Sequence, residues 1–197
     1  MNEQKVIAFV GMPGSGKGTC TTYLNEKYGW PVVHFGNMFY EEVQRRGLDN
    51  VKDETFVQKD MREKEGPAVL AKHALRKART YFDEGLPVVV LDGLYTWPEY
   101  KYLDQELGEN LTLIAVTAPK KLRRQRVLER KDSHRTYTLE QLISREIGEI
   151  ENIEKGGPIA YADYTIVNNT TPEELVSYLE KILKDLGISE WSNTLLD

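Results

Sequence analysis

The sequence predicts an α/β fold: a three-layer sandwich with a five-stranded parallel sheet between two layers of helices. Three observations predict it. Five short runs are apolar and rich in valine and isoleucine, as strands buried on both faces must be. Longer amphipathic stretches separate them, which is the βαβ pattern. A glycine-rich loop joins the first strand to the first helix. The chain has 197 residues, 40% of them apolar and 29% charged, which is an ordinary globular balance for one domain.

The first strand is Val6–Val10. It runs into Gly11-Met12-Pro13-Gly14-Ser15-Gly16-Lys17-Gly18-Thr19, and a helical pattern follows over Cys20–Tyr28. That is the strand–loop–helix setting of a phosphate loop. Glycines let the backbone turn its N–H groups inward, and the helix N-terminus adds partial positive charge. Lys17 is the residue that reaches the outer phosphates. The common pattern sets a hydroxyl directly after the lysine. Here Gly18 stands there and the hydroxyl comes one later, at Thr19.

Val32–Phe35 reads as the second strand. The gap from there to Val88 exceeds what one crossover helix needs. It holds three helical patterns, 38–46, 54–64 and 67–83, so a helical insert over about 37–84 is expected. Val88–Leu91 is the third strand. Asp92-Gly93 ends it at the carboxyl edge of the sheet, where open α/β sheets bind ligands. Asp92 is therefore a candidate catalytic group and, with Thr19, a candidate magnesium site. Leu111–Val116 is the fourth strand.

A basic segment follows: Lys120, Lys121, Arg123, Arg124, Arg126, Arg130, Lys131 and Arg135. The whole chain carries −5, so a local anion site is expected rather than a general nucleic-acid coat. Arg123, Arg126 and Arg130 lie three and four apart, the spacing of one helix face. The polar stretch 131–137 reads as a loop. Thr138-Leu139-Glu140-Gln141 starts a helix whose stripe is Leu142, Ile143, Ile147, Ile150 and Ile153. Tyr164–Val167 is the fifth strand. Thr171-Pro172-Glu173-Glu174 supplies cap, proline and capping-box glutamate for a last helix striped by Leu175, Val176, Tyr178, Leu179, Ile182, Leu183 and Leu186.

The class exclusions are direct. The longest apolar run, Pro87–Leu91, is far short of the roughly 20 residues a membrane helix needs. The N-terminus carries no signal-peptide pattern, and a cytoplasmic protein without a membrane partner is expected. A single cysteine, Cys20, makes no disulfide framework and no zinc-bearing lid. His34, His73 and His134 show no metal spacing.

The loop Gly11-x-Pro13-Gly14-Ser15-Gly16-Lys17-Gly18-Thr19 resembles that of adenylate kinases and their nucleoside-monophosphate kinase relatives. His34-Phe35-Gly36-Asn37-Met38-Phe39-Tyr40 is similar to the Gly-Asp-x-x-Arg motif that opens their acceptor-binding helices. Arg123-x-x-Arg126-x-x-x-Arg130 is similar to the helix before their lid, which implies a short lid over 131–137. The stretch from Ala162 to Leu175 resembles the C-terminal strand and helix of dephospho-coenzyme A kinases. Order and spacing also resemble an archaeal-type group of nucleotide kinases related to both, over about residues 5–185.

The resemblance implies a P-loop nucleotide kinase: ATP and Mg2+ as cofactors, and a nucleotide-like small molecule as phosphoryl acceptor. Lys17, Asp92, Arg126 and Arg130 are the expected catalytic residues. The loop from Gly11 through Pro13, Gly14, Ser15, Gly16, Lys17, Gly18 and Thr19, with Arg123, is expected to hold the nucleotide. Asn37, Tyr40, Arg62, Gly93, Tyr95 and Arg135 are expected at the acceptor, where Tyr40, Tyr95 and Trp97 either stack on a base or pack. Two departures stand out. Family members carry aspartate where Asn37 stands and arginine where Tyr40 stands, and tend to carry an arginine shortly after the Asp-Gly pair, where Tyr95 lies. Arginines there grip the acceptor phosphate in pairs of hydrogen bonds that a tyrosine cannot make. Arg45, Arg46 and above all Arg62 are the candidate replacements. Dephospho-coenzyme A kinase chemistry is the alternative within the enzyme class. A nucleotide-binding switch or accessory ATPase is the alternative outside it.

Overall fold

The computed structural model describes residues 4–48, 54–94, 96–130 and 137–191. Five strands, β1 (Lys5–Val10), β2 (Val32–His34), β3 (Val88–Asp92), β4 (Leu111–Thr117) and β5 (Tyr164–Val167), form one sheet in the order β2-β3-β1-β4-β5. Every pairing is parallel. The strand assignments from sequence agree with these bounds to within one residue at each end. The central strands are buried on both faces because their side chains alternate between two cores. Val6, Ala8 and Val10 of β1 enter one, with Val89 and Leu91 of β3. Ile7 and Phe9 enter the other, with Val88 and Val90. The edge strand β5 departs from this: Thr165 and Val167 are exposed and Ile166 alone is buried.

The helices between them are α1 (Lys17–Tyr28), α2 (Phe35–Arg45), α3 (Glu54–Glu65), α4 (Val69–Asp83), α5 (Trp97–Leu107), α6 (Lys120–Leu128), α7 (Leu139–Glu151), α8 (Gly156–Ala160) and α9 (Pro172–Asp185). The stretch 35–83 thus forms α2, α3 and α4, whose buried residues join the first core. α1 and α9 cover the second, where Leu175, Leu179, Ile182 and Leu183 line the buried side of α9. No helix of the described residues is long and apolar enough to cross a membrane.

Three expectations are corrected. The sequence reading assigns no element to 94–110, yet α5 stands there, started by a Thr96–Glu99 capping box with proline in its first turn. α8 was likewise not expected. The apolar stripe expected to bury α7 does so only in part: Leu142 is buried, but Ile147 and Ile150 are 48% and 54% exposed, while Glu146 and Glu149 point inward. The reason is a set of ion pairs described below.

Candidate functional site

The carboxyl edge of the sheet gathers the site. β1 ends in a loop whose glycines are held in conformations other residues avoid: Gly11, Gly14 and Gly16 have φ of 152°, 76° and 108°. The space around them is closed as well. A Cβ on Gly11 would lie 2.2 Å from the Val116 carbonyl oxygen, one on Gly14 2.3 Å from that of Arg123, and one on Gly16 2.2 Å from Asn168 Nδ2. Gly18 is different, since it is helical and faces open space.

Gly16 caps α1. The first-turn N–H groups of Lys17 and Gly18 have no intrahelical partner by geometry, and those of Gly14 and Gly16 make no hydrogen bond among the described residues. The Ser15 hydroxyl is buried without a partner. Lys17 folds back so that Nζ donates to the Gly11 carbonyl at 2.6 Å. Burial, then the charge of Lys155, push Lys17 down to about 8, against the pull of Asp92 and Glu149. Unbonded N–H groups of this loop together with a half-buried lysine fit a polyphosphate.

Asp92 ends β3 beside this loop, paired in register with Phe9 of β1 on one side and His34 of β2 on the other. Its Oδ2 accepts from Thr21 Oγ1 at 3.4 Å and lies 3.1 Å from His34 Nδ1. Burial raises the Asp92 carboxyl, but the bond to His34 and the charge of Lys17 outweigh it and hold it below its usual value. His34 is raised in turn by the bond to Asp92, against partial burial and the charge of Lys77.

Thr19 does not join Asp92. It is exposed, and residues two apart on a helix face nearly opposite ways, so Thr21 takes the place facing the carboxylate. The donor pair expected for magnesium is therefore not assembled, and Thr19 and Asp92 do not fit a metal held directly between them.

The basic segment is also rearranged. Arg123, expected at the nucleotide, is buried: it donates to the carbonyls of Pro13 and Ala118 and to Glu146 at 2.6 Å. It braces the loop from behind. Arg126 turns to the carbonyls of Asn168 and Thr170 and to Asn168 Oδ1. Arg130 lies beyond the end of α6 and is exposed, so the three arginines do not share a helix face. Arg135 and Tyr95 lie outside the described residues, as does 131–136 of the expected lid.

On the acceptor side, Asn37 is exposed and Tyr40 half-buried on α2. Gly93 is buried directly after Asp92, and its N–H donates to the Phe9 carbonyl. Arg62 of α3 lies 5.2 Å over the Phe39 ring, its Nε buried without a partner. Arg45 and Arg46 are both engaged by Glu42, and Arg46 by Asp60 as well. Trp97 packs: it stacks on Tyr100 with centroids 5.2 Å apart and meets Tyr161 edge-on. Cys20 is buried in the core and its thiol is pushed up to about 12, which makes it inert.

Several site residues escape a reading by motif. Asn168 donates Nδ2 to the Ser15 carbonyl at 2.7 Å and pins the loop from β5. Lys155 is 1% exposed and paired with Glu149 at 2.7 Å, and Arg145 holds the other Glu149 oxygen. Thr21 carried a weak signal, being one helical turn after Lys17. Lys155 carried none, since a lone lysine in a polar stretch reads as surface.

Residues 10–144 match a family model described as an AAA domain. A UPF0200 protein of Sulfurisphaera tokodaii is 36% identical over 180 residues, covering 91% of this chain and 96% of the relative. The chain belongs to the UPF0200 family. A UPF0200/UPF0201 protein of Archaeoglobus fulgidus is 37% identical over 94% of the UPF0200 chain, which spans only 57% of that relative's length. Among solved structures, TT1252 of Thermus thermophilus superposes with a TM-score of 0.64 at 20% identity, covering 93% of this chain and 98% of that one. Shikimate kinase of Aquifex aeolicus superposes at 0.53 with 17% identity, over 93% and 98%. At such identities these two establish a shared fold and nothing more.

Proposed function

We propose that this chain is an ATP-dependent phosphotransferase whose acceptor is a nucleotide-like small molecule, of nucleoside-monophosphate kinase type, with dephospho-coenzyme A as the alternative acceptor. One observation carries the reading: unbonded loop N–H groups and a half-buried lysine sit one strand away from an aspartate at the edge of the sheet. The fold it shares with shikimate kinases supports it.

Phosphoryl transfer needs positioning and neutralisation of charge. ATP supplies the transferred group when bound. Gly14, Gly16, Lys17 and Gly18 would hold its phosphates through backbone N–H groups, and Lys17 Nζ would turn from the Gly11 carbonyl to them. Arg123 and Asn168 keep the loop in shape. Arg126 lies beside the Asn168–Thr170 backbone, where a base edge would meet the chain. Arg62, Asn37 and Tyr40 would contact the acceptor, together with Tyr95. The test is ATP consumption in the presence of magnesium salts against a panel of nucleosides, nucleoside monophosphates and dephospho-coenzyme A. One acceptor should raise turnover sharply, and Lys17→Ala should abolish it. Equal ATP consumption with and without every acceptor would transfer the case to an accessory ATPase.

A further inference from the structure

Resting on the phosphotransferase part of that reading, and choosing a hydroxyl-bearing acceptor over a nucleoside monophosphate, we propose that the acceptor presents a hydroxyl rather than a phosphate, and that His34 is the general base that receives the hydroxyl proton. Three features of the structure meet in it.

The first is placement. The P-loop follows β1, Asp92 ends β3, and His34 ends β2, so the three stand side by side along the carboxyl edge. Neighbouring strands are about 4.8 Å apart, which sets His34 about 10 Å across from the P-loop strand, on the acceptor side. The His34 side chain is 47% exposed there, while that of Asp92 behind it is 17% exposed.

The second is orientation. The Asp92 carboxylate accepts from Thr21 Oγ1 and faces His34 Nδ1 at 3.1 Å. A carboxylate can only accept, so the proton of a neutral imidazole stays on Nδ1 and the lone pair on Nε2. The groups that face this histidine are Asp92 on β3 and Lys77 on α4, with Thr21 and Lys17 of α1 reaching it through Asp92. An oriented, half-exposed imidazole whose Nε2 has no partner among the described residues is the arrangement of a general base.

The third is what the acceptor side lacks. A phosphate acceptor is already ionised at neutral pH and needs guanidinium groups, not a base. Here, among the described residues, Tyr40 stands where relatives carry such a group, Arg45 and Arg46 are tied to Glu42 and Asp60, and Arg62 stacks on Phe39. An alcohol has the opposite need, because its proton must leave as its oxygen attacks.

The step balances as follows. The acceptor O–H gives its proton to His34 Nε2, and its oxygen bonds to the γ-phosphorus of a nucleoside triphosphate. The bond from that phosphorus to the β–γ bridging oxygen breaks, and its electron pair leaves with the nucleoside diphosphate. The imidazolium, stabilised by Asp92, then releases its proton to solvent.

The experiment pairs each nucleoside with its own monophosphate as acceptors and identifies products by phosphorus NMR. A phosphomonoester of an alcohol is expected, and His34→Gln should lower kcat about 100-fold or more with little change in KM. Two measurements need no turnover. Nitrogen NMR of the nucleotide-free protein should show His34 protonated at Nδ1, and Asp92→Asn should remove that preference. Thermal melting should show ATP stabilising His34→Gln as it does the wild type. A phosphoanhydride product, a kcat unchanged in His34→Gln, or a proton found on Nε2 would each overturn the inference while leaving the kinase reading intact. Absence of any acceptor-dependent turnover would overturn both.

Discussion

At the scale of single residues the loop separates two kinds of glycine that look alike in sequence. Gly16 has φ 108° and no room for a methyl group, whereas Gly18 is helical with open space around it. Gly16→Ala should destabilise the fold by about 1–3 kcal/mol from backbone strain, before any clash with Asn168 is counted. Gly18→Ala should instead be neutral or stabilising by up to ~1 kcal/mol, since alanine favours a helix over glycine. Urea titrations of the two variants against wild type decide this, and equal effects would contradict the geometry. Lys17 gives a second prediction. Its amine is held at about 8 in the free protein, so at pH 8 it is half charged. Bound phosphates favour the charged form, so binding should take up about half a proton at pH 8, and affinity should fall as pH rises from 7 to 9. Calorimetry in buffers of different ionisation enthalpy reads the uptake, which Lys17→Met should abolish.

At the scale of elements, α7 shows charge overruling the apolar pattern. Its isoleucines predicted a buried face, yet Glu146 and Glu149 turn inward because Arg123, Arg124, Arg145 and Lys155 wait there. A buried guanidinium without a carboxylate costs more than an exposed isoleucine gains. Glu146→Ala should therefore cost about 3–5 kcal/mol and loosen the loop that Arg123 braces, while Ile150→Ser should cost under about 0.5 kcal/mol. Chemical denaturation of both variants, with ATP affinity as a second readout, checks the pair. The same competition explains which elements were legible. The strands were, because short apolar runs rich in valine and isoleucine, bounded by turn residues, mark strands of a parallel sheet. α9 was, because Thr171, Pro172 and Glu174 announce its start. α5 had its own announcement in Thr96 and Glu99, but its polar residues weaken the stripe that would confirm it. Gly156-Gly157-Pro158 in α8 opposes helix formation, and that short helix stands only because its neighbours hold it, Gly157 lying against the Trp97 ring.

At the scale of the whole molecule, what the sequence could not show is where long side chains end. Motif and spacing placed the P-loop and Asp92 correctly at one edge of the sheet, because strands that all run parallel end on the same side. They could not show that Arg123 supports the loop instead of meeting the nucleotide, or that Asp92 is shared with His34 and Thr21, since those contacts join residues 110 and 58 positions apart. Such long-range polar contacts also set how the fold responds to acid. Glu42 is lowered to about 2, chiefly by Arg45, and Asp60, Asp92, Glu149 and Glu180 are all lowered as well. A carboxylate lowered in the folded state stabilises above its unfolded value near 4 and loses that contribution as pH falls through the folded one. These groups tie α2 to α3, α7 to the chain before α8, α1 to α9, and β2 to β3. Denaturation midpoints should therefore rise slightly from pH 7 to about 5, as His34, raised in the folded state by Asp92, takes up its proton, and fall steeply between about 4 and 2. Glu180→Gln should flatten part of that fall by removing the group that Tyr23, Tyr28 and Lys27 share. A midpoint as steep in Glu180→Gln as in wild type would show that this junction does not contribute, and would leave the acid sensitivity to the carboxylates on the other junctions.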